Sequence, residues 1–257
     1  MPRLLVVVAH PDDETFGTGS VIASAAAAGV EVTVCCATRG EQGEDTSGTT
    51  SNPTELAEVR EQELRAAARI LGAREVVVLD FADSGLDGDA PPGSLSTVEL
   101  VTIVEPVASL IARVDPDVVV TLDPDSVTDH RDHVRIGEAA TVAFGKAAKP
   151  AARLYYWTLA RSLMVRWQNE MRELGRLPEY VDIEIGRPEA QITTVVDVTN
   201  VVPERRAAIS AHRTQASPFA GLSSELGDAF LARDCLVRAV PPWTGGRVET
   251  TIFPRSA

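Results

Sequence analysis

Four short aliphatic runs, Leu4 to Ala9, Val30 to Ala37, Val76 to Leu79 and Val118 to Leu122, constrain the fold of this chain more than any other feature. Aliphatic runs of this length are the mark of strands buried in a parallel sheet. Between them lie stretches with helical character. Ser20 to Ala28 is rich in small residues, Thr54 to Leu71 follows Pro53 and is ended by Gly72, and Ser96 to Val114 is ended by Asp115-Pro116. Strand and helix in alternation predict an α/β fold with a mostly parallel sheet flanked by helices. The second helix is expected to carry Glu55, Glu58, Arg60, Glu61 and Glu63 on its wet side.

Beyond residue 150 the pattern changes. Arg153 to Leu159 and Ile192 to Val198 read as strands, and Pro203 to His212 and Ser223 to Arg238 as helices. No internal repeat or long linker divides the chain. It is therefore read as a single domain over residues 1–257, with a metal-binding core in 1–145 and a C-terminal α/β extension in 146–257 that completes it. Residues 39–54, rich in Gly, Ser, Thr and acidic groups, read as a mobile loop over a site, a candidate closing lid.

Charge narrows the function. The 37 acidic residues outnumber the 24 basic ones, and the net charge of -13 argues against nucleic acid and anionic lipid as partners. The first aliphatic run is too short to span a membrane and leads straight into His10, Asp12, Asp13 and Glu14. Cys35, Cys36 and Cys235 match no spaced metal or redox motif, which fits a reducing cytoplasm.

Ala9-His10-Pro11-Asp12-Asp13-Glu14 follows the first strand, and ligands of open parallel sheets bind outside the carboxyl ends of the strands. Taken alone, the acidic residues could simply cap the next helix, and Glu14 suits that role. A second cluster, Asp129-His130-Arg131-Asp132-His133, follows the fourth strand. Three of the chain's four histidines thus stand beside clustered carboxylates after two parallel strands, which is the signature of a metal site. His10, Asp13 and His133 form the two-His, one-carboxylate set of catalytic zinc, and iron(II) takes the same set. Zinc lowers the pKa of a water toward about 7. Asp12 is the candidate general base, and His130, as a protonated imidazole oriented by Asp132, the candidate oxyanion stabiliser and proton donor.

At these residues the chain resembles the PIG-L/LmbE-like family of metal-dependent de-N-acetylases. The resemblance also rests on Thr38-Arg39-Gly40-Glu41-Gln42-Gly43 and Arg60-Glu61-Gln62-Glu63-Leu64, with weaker support from Leu154-Tyr155-Tyr156 and Ala211-His212-Arg213-Thr214-Gln215. It implies a Rossmann-like fold, zinc on His10, Asp13 and His133, Asp12 as base, His130 as oxyanion stabiliser, and a small glycosylated N-acetyl compound as substrate. Arg131 stands where a proline is common, and Phe81-Ala82-Asp83-Ser84-Gly85 lacks an arginine often found before the aspartate.

The expected reaction is removal of acetyl from an N-acetylglucosaminyl-type substrate. The alternative is cleavage of a larger amide, such as a cysteinyl-glucosamine thiol conjugate. A binding protein without catalysis would not need Asp12, and phosphoester hydrolysis with magnesium or manganese would favour oxygen ligands over imidazole. Arg39 and Asp83 either face the site and bond sugar hydroxyls or are solvated loop charges. Trp157 to Trp167, with Tyr155 and Tyr156, is either an apolar wall for a sugar or acyl group or core, the core being the simpler reading, and Asp45, Asp87 and Asp89 read as solvated. His212 is assigned a structural role at a helix end. A homo-oligomer is compatible with all of this.

Overall fold

The four aliphatic runs form parallel strands β1 (Arg3–Val8), β2 (Glu31–Thr38), β3 (Glu75–Phe81) and β4 (Val118–Leu122) in the computed structural model, which describes residues 1–125, 130–176 and 185–253. Register is tight at the centre, where Leu4 pairs with Val32 on one side and Val118 on the other. Three later strands join the same sheet: β5 (Arg153–Thr158) runs parallel to β4, while β7 (Arg233–Val240) and β6 (Thr194–Asp197) close the far edge antiparallel. Among the described residues the order is β3-β2-β1-β4-β5-β7-β6. The chain therefore winds outward in one direction from β1 and restarts in the other at β4. A crevice opens outside the carboxyl ends of strands at such a switch point. Both histidine motifs begin there.

The helices are α1 (Asp13–Phe16), α2 (Gly19–Ala27), α3 (Pro53–Ile70), α4 (Leu100–Val114), α5 (Arg131–Ala147), α6 (Arg161–Glu173), α7 (Val202–Ile209) and α8 (Ser224–Leu231). Asn52 caps α3 by accepting the Glu55 amide, and Pro53 starts it where no backbone donor is needed. Helix α5 lies so close to β4 that a Cβ on Gly137 would stand 2.6 Å from the Leu122 carbonyl oxygen. That contact helps set where the second histidine motif enters the helix.

Three expectations are corrected. Ser223 to Arg238 is not one helix: it stops at Leu231, and the rest is β7, because β5 and β6 offer partners on both edges to a segment whose Asp234 and Leu236 are buried. The third helix starts at Leu100 rather than Ser96, since Leu95 donates to the Ala82 carbonyl and Ser94 accepts from Thr97 and Val98, holding the approach in turns. Arg60 and Glu63 do not lie on the wet side of α3 but are buried beside Leu56, Leu64 and Ala67. The three-and-four spacing of those apolar residues already includes positions 60 and 63.

Candidate active site

The turn after β1 holds its own geometry. Asp13 Oδ2 accepts the amides of Ala9 at 3.2 Å and His10 at 2.8 Å, which leaves Oδ1 3.2 Å from His133 Nε2. His10 Nδ1 faces the same carboxylate at 3.6 Å. Burial alone would raise the pKa of Asp13, but His133 and His10 hold it well below the usual carboxylate range. Asp13 thus pins the turn and points a charged oxygen into the crevice.

Asp12 takes φ 125°, a conformation costing on the order of 1–3 kcal/mol for a residue with a side chain. It is held from several directions. Its amide donates to Glu14 Oε2 at 2.9 Å, its carbonyl accepts from Thr15 and Phe16, and Arg60 Nη2 bonds both the Pro11 carbonyl at 2.5 Å and Asp12 Oδ2 at 3.1 Å. Burial raises the Asp12 carboxyl to about 6 against the opposing pull of Arg60. A carboxylate at that level is a stronger base than an ordinary one and is still ionised at neutral pH.

The turn after β4 delivers three groups on one helical start. His130 caps α5, its Nδ1 accepting the Asp132 amide at 3.2 Å. Burial, and then the neighbouring His10 and His133, push His130 down to about 3. That shift favours the neutral imidazole, and with Nδ1 accepting the Asp132 amide the ring has Nε2 left to donate. The His130 and His133 rings stack at 4.8 Å, and His10 lies 4.6 Å from the first and 5.4 Å from the second.

Asp132 does not orient His130 as expected. It is fully buried, and its Oδ2 lies 3.2 Å from His10 Nε2 while accepting the Ser84 amide at 3.0 Å. Residues two apart on a helix do not face each other, so Asp132 turns across the crevice to the other motif. Asp83 joins it, 3.5 Å from His10 Nε2, while accepting the Gly85 and Gln42 amides. Burial would lower the pKa of His10, but Asp13, Asp132 and Asp83 together raise it well above its ordinary value. Asp83 does line the site, as one of the carboxylates fixing the His10 ring.

Arg39 is engaged elsewhere. Its Nε donates to Glu61 at 2.7 Å and its Nη1 pairs with Asp80 at the sheet edge, so two of its nitrogens are paired with carboxylates. The loop from residue 39 is also tied down: Arg60 Nη1 bonds the Gly40 carbonyl at 2.7 Å, Asp45 accepts from Ser47 and Thr50, and the Thr46 amide donates to the Thr214 carbonyl. Tyr155 packs in the main core, and Met164 and Trp167 form a second apolar cluster with Ile185, Leu226 and Phe230. Asp129 lies outside the described residues.

Several functional residues were not legible. Glu14 does accept a free amide at the start of α1, that of Asp12, but it is completely buried, with Oε1 2.7 Å from His212 Nε2. His212, buried in turn, bonds that carboxylate rather than helix-end carbonyls. Arg205 on α7, also buried, donates to the carbonyls of Thr15, Phe16 and Gly17 at the end of α1 and pairs with Asp234.

The donor chemistry fits a metal ion. Among the described residues, one donor atom from each of His10, His130 and His133 lies within 4.8 Å of the others, and the same holds for His10, Asp83 and Asp132. Asp132 Oδ1 is buried without a hydrogen-bond partner, and three imidazoles crowd a point ringed by carboxylates. Such a cluster suits a divalent cation.

Comparison with known proteins agrees with this chemistry. Residues 5–144 match the PIG-L family, GlcNAc-PI de-N-acetylase. The 1D-myo-inositol 2-acetamido-2-deoxy-alpha-D-glucopyranoside deacetylase of Kineococcus radiotolerans is 35% identical over 247 residues, covering 83% of this chain and 68% of that one. The fold is shared with the N,N'-diacetylchitobiose deacetylase of Pyrococcus horikoshii, with a TM-score of 0.56, 24% identity and coverage of 87% and 72% of the two chains. It is shared too with the 4-carboxy-2-hydroxymuconate hydratase of Pseudomonas putida, with a TM-score of 0.63, 22% identity and coverage of 96% and 100%. The chain belongs to the PIG-L family of metal-dependent de-N-acetylases. It is an enzyme of the amide-hydrolysing class. Because a hydratase shares the fold, the reaction has to be argued from the site. No helix among the described residues is long and apolar enough to cross a membrane.

Proposed function

We propose that this enzyme removes acetyl from an N-acetylglucosaminyl-type substrate, with zinc held by His10, Asp13 and His133 and with Asp12 as general base. The observation that carries the reading is Asp12 itself, a carboxylate lifted to about 6 and held in a strained backbone with Arg60, Asp13 and His10 close by. When bound, zinc supplies Lewis-acid polarisation of the amide carbonyl and acidifies a water.

The chain's own groups do the rest. Asp12 accepts a proton as water attacks the carbonyl carbon and returns it to the leaving nitrogen. The neutral His130 donates from Nε2 to the oxygen on which negative charge develops. Asp132 and Asp83 hold the His10 ring by its Nε2 edge, leaving Nδ1 toward Asp13. The inositol-linked sugar named for the Kineococcus relative is the natural first substrate to try.

The test is acetate release from that compound by wild-type and Asp12→Asn protein, with metal analysis of both after anaerobic purification. Loss of a general base costs typically 10²–10⁴-fold. Asp12→Asn should fall in that range while keeping its metal. Unchanged turnover would remove Asp12 from the mechanism, and iron rather than zinc in the purified protein would reassign the cation.

A further inference from the structure

We propose that the buried His212–Glu14 pair is a positioning device for the general base, holding the backbone of Asp12 in its productive conformation from the far end of the chain. The proposal rests on the assignment of Asp12 as base.

The geometry is a continuous chain of bonds. His212 Nε2 meets Glu14 Oε1 at 2.7 Å, Thr15 Oγ1 donates to the same oxygen at 2.5 Å, and Glu14 Oε2 accepts the Asp12 amide at 2.9 Å. Both partners are shut away from water, His212 at 2% and Glu14 at 0% exposure. A carboxylate buried that deeply needs a partner, and a charged acceptor grips a backbone amide more strongly than a neutral one. Asp12, at φ 125°, requires such an external hold, because nothing in its own preference keeps it there.

The segment bearing His212 is itself anchored. Thr214 donates from its amide and hydroxyl to Glu63 at 3.0 and 2.6 Å, and its carbonyl accepts from Thr46. The Ala211-His212-Arg213-Thr214-Gln215 motif, whose role at a helix end explained little, thus fastens α1, α3 and the loop after β2 to one another. Among the described residues His212 forms no hydrogen bond to a candidate metal ligand, and its hydrogen-bonded route to the base runs through Glu14 and the Asp12 amide.

Zinc-loaded His212→Leu, His212→Gln and Glu14→Gln proteins should be assayed for acetate release from 1D-myo-inositol 2-acetamido-2-deoxy-α-D-glucopyranoside, with zinc content and thermal melting measured on the same samples. Displacing a reacting group by about an ångström costs on the order of 10²-fold. His212→Leu and Glu14→Gln should lower kcat about 10–100-fold with KM within about twofold and zinc content unchanged. His212→Gln, which restores a donor to Glu14, should recover most of the loss. Should His212→Leu fold poorly, Glu14→Gln, which preserves shape, carries the test. Full kcat in His212→Leu or Glu14→Gln would overturn the proposal, as would a loss that merely tracks zinc content or folded fraction and is not recovered by glutamine. An Asp12→Asn protein as active as wild type would instead overturn the base assignment, so the two failures are distinguishable.

Discussion

Residues 1–145 and the portion from 146 onward contribute to the site in different ways. The first portion supplies the reactive groups, His10, Asp12, Asp13, His130 and His133, on two turns at the carboxyl ends of β1 and β4. The second supplies groups that hold them, namely Arg205 on the end of α1, His212 on Glu14 and Thr214 on Glu63. Reactive groups must reach solvent and substrate, so they stand on turns at the rim of the sheet. Holding groups work best where water is excluded, so they come from elements packed behind that rim. The difference shows that a short motif can be chemically complete yet mechanically dependent on residues almost 200 positions away.

The sharpest way to break this comparison is Arg205→Met. It strips donors from the Thr15, Phe16 and Gly17 carbonyls and leaves Asp234 buried without its cation, which should destabilise the fold by about 3–5 kcal/mol in urea unfolding. A loss below about 1 kcal/mol would mean that the second portion does not hold the first. Within the first portion, Asp132→Asn should weaken zinc binding about 10–100-fold in chelator competition, because it loosens His10. A fall in kcat at unchanged zinc affinity would revive the expected pairing of Asp132 with His130. The smallest effect belongs to Arg39→Ala, whose half-exposed ion pairs with Glu61 and Asp80 should change stability by no more than about 0.5 kcal/mol and KM by less than about twofold. A tenfold rise in KM would return Arg39 to the substrate.

Legibility followed the range of the interactions. Strands β1 to β4 were readable because each is a continuous aliphatic run, and their carboxyl ends located His10 and His133. Arg60 and Glu63 could have been read as well, since the periodicity that buries Leu56 and Leu64 buries them too, but charge suggested the opposite face. Strand β7 could not, because residues 233–238 have no local signal strong enough to separate strand from a continuing helix until β5 and β6 pair with them. Asp132 was identified as important yet given the wrong partner: adjacency in sequence pointed to His130, whereas the helix turns its side chain to His10.

The sequence by itself determined the chemistry available, with imidazoles and carboxylates placed at strand ends by short turns, because a turn of a few residues leaves few ways to arrange its side chains. Tertiary structure decided the desolvation of His130, the partner of Asp132, the ion pairs of Arg39 and the burial of Glu14 against His212. Each of these depends on desolvation and on contacts between distant segments, and both come into being only when the sheet and its helices close around the site.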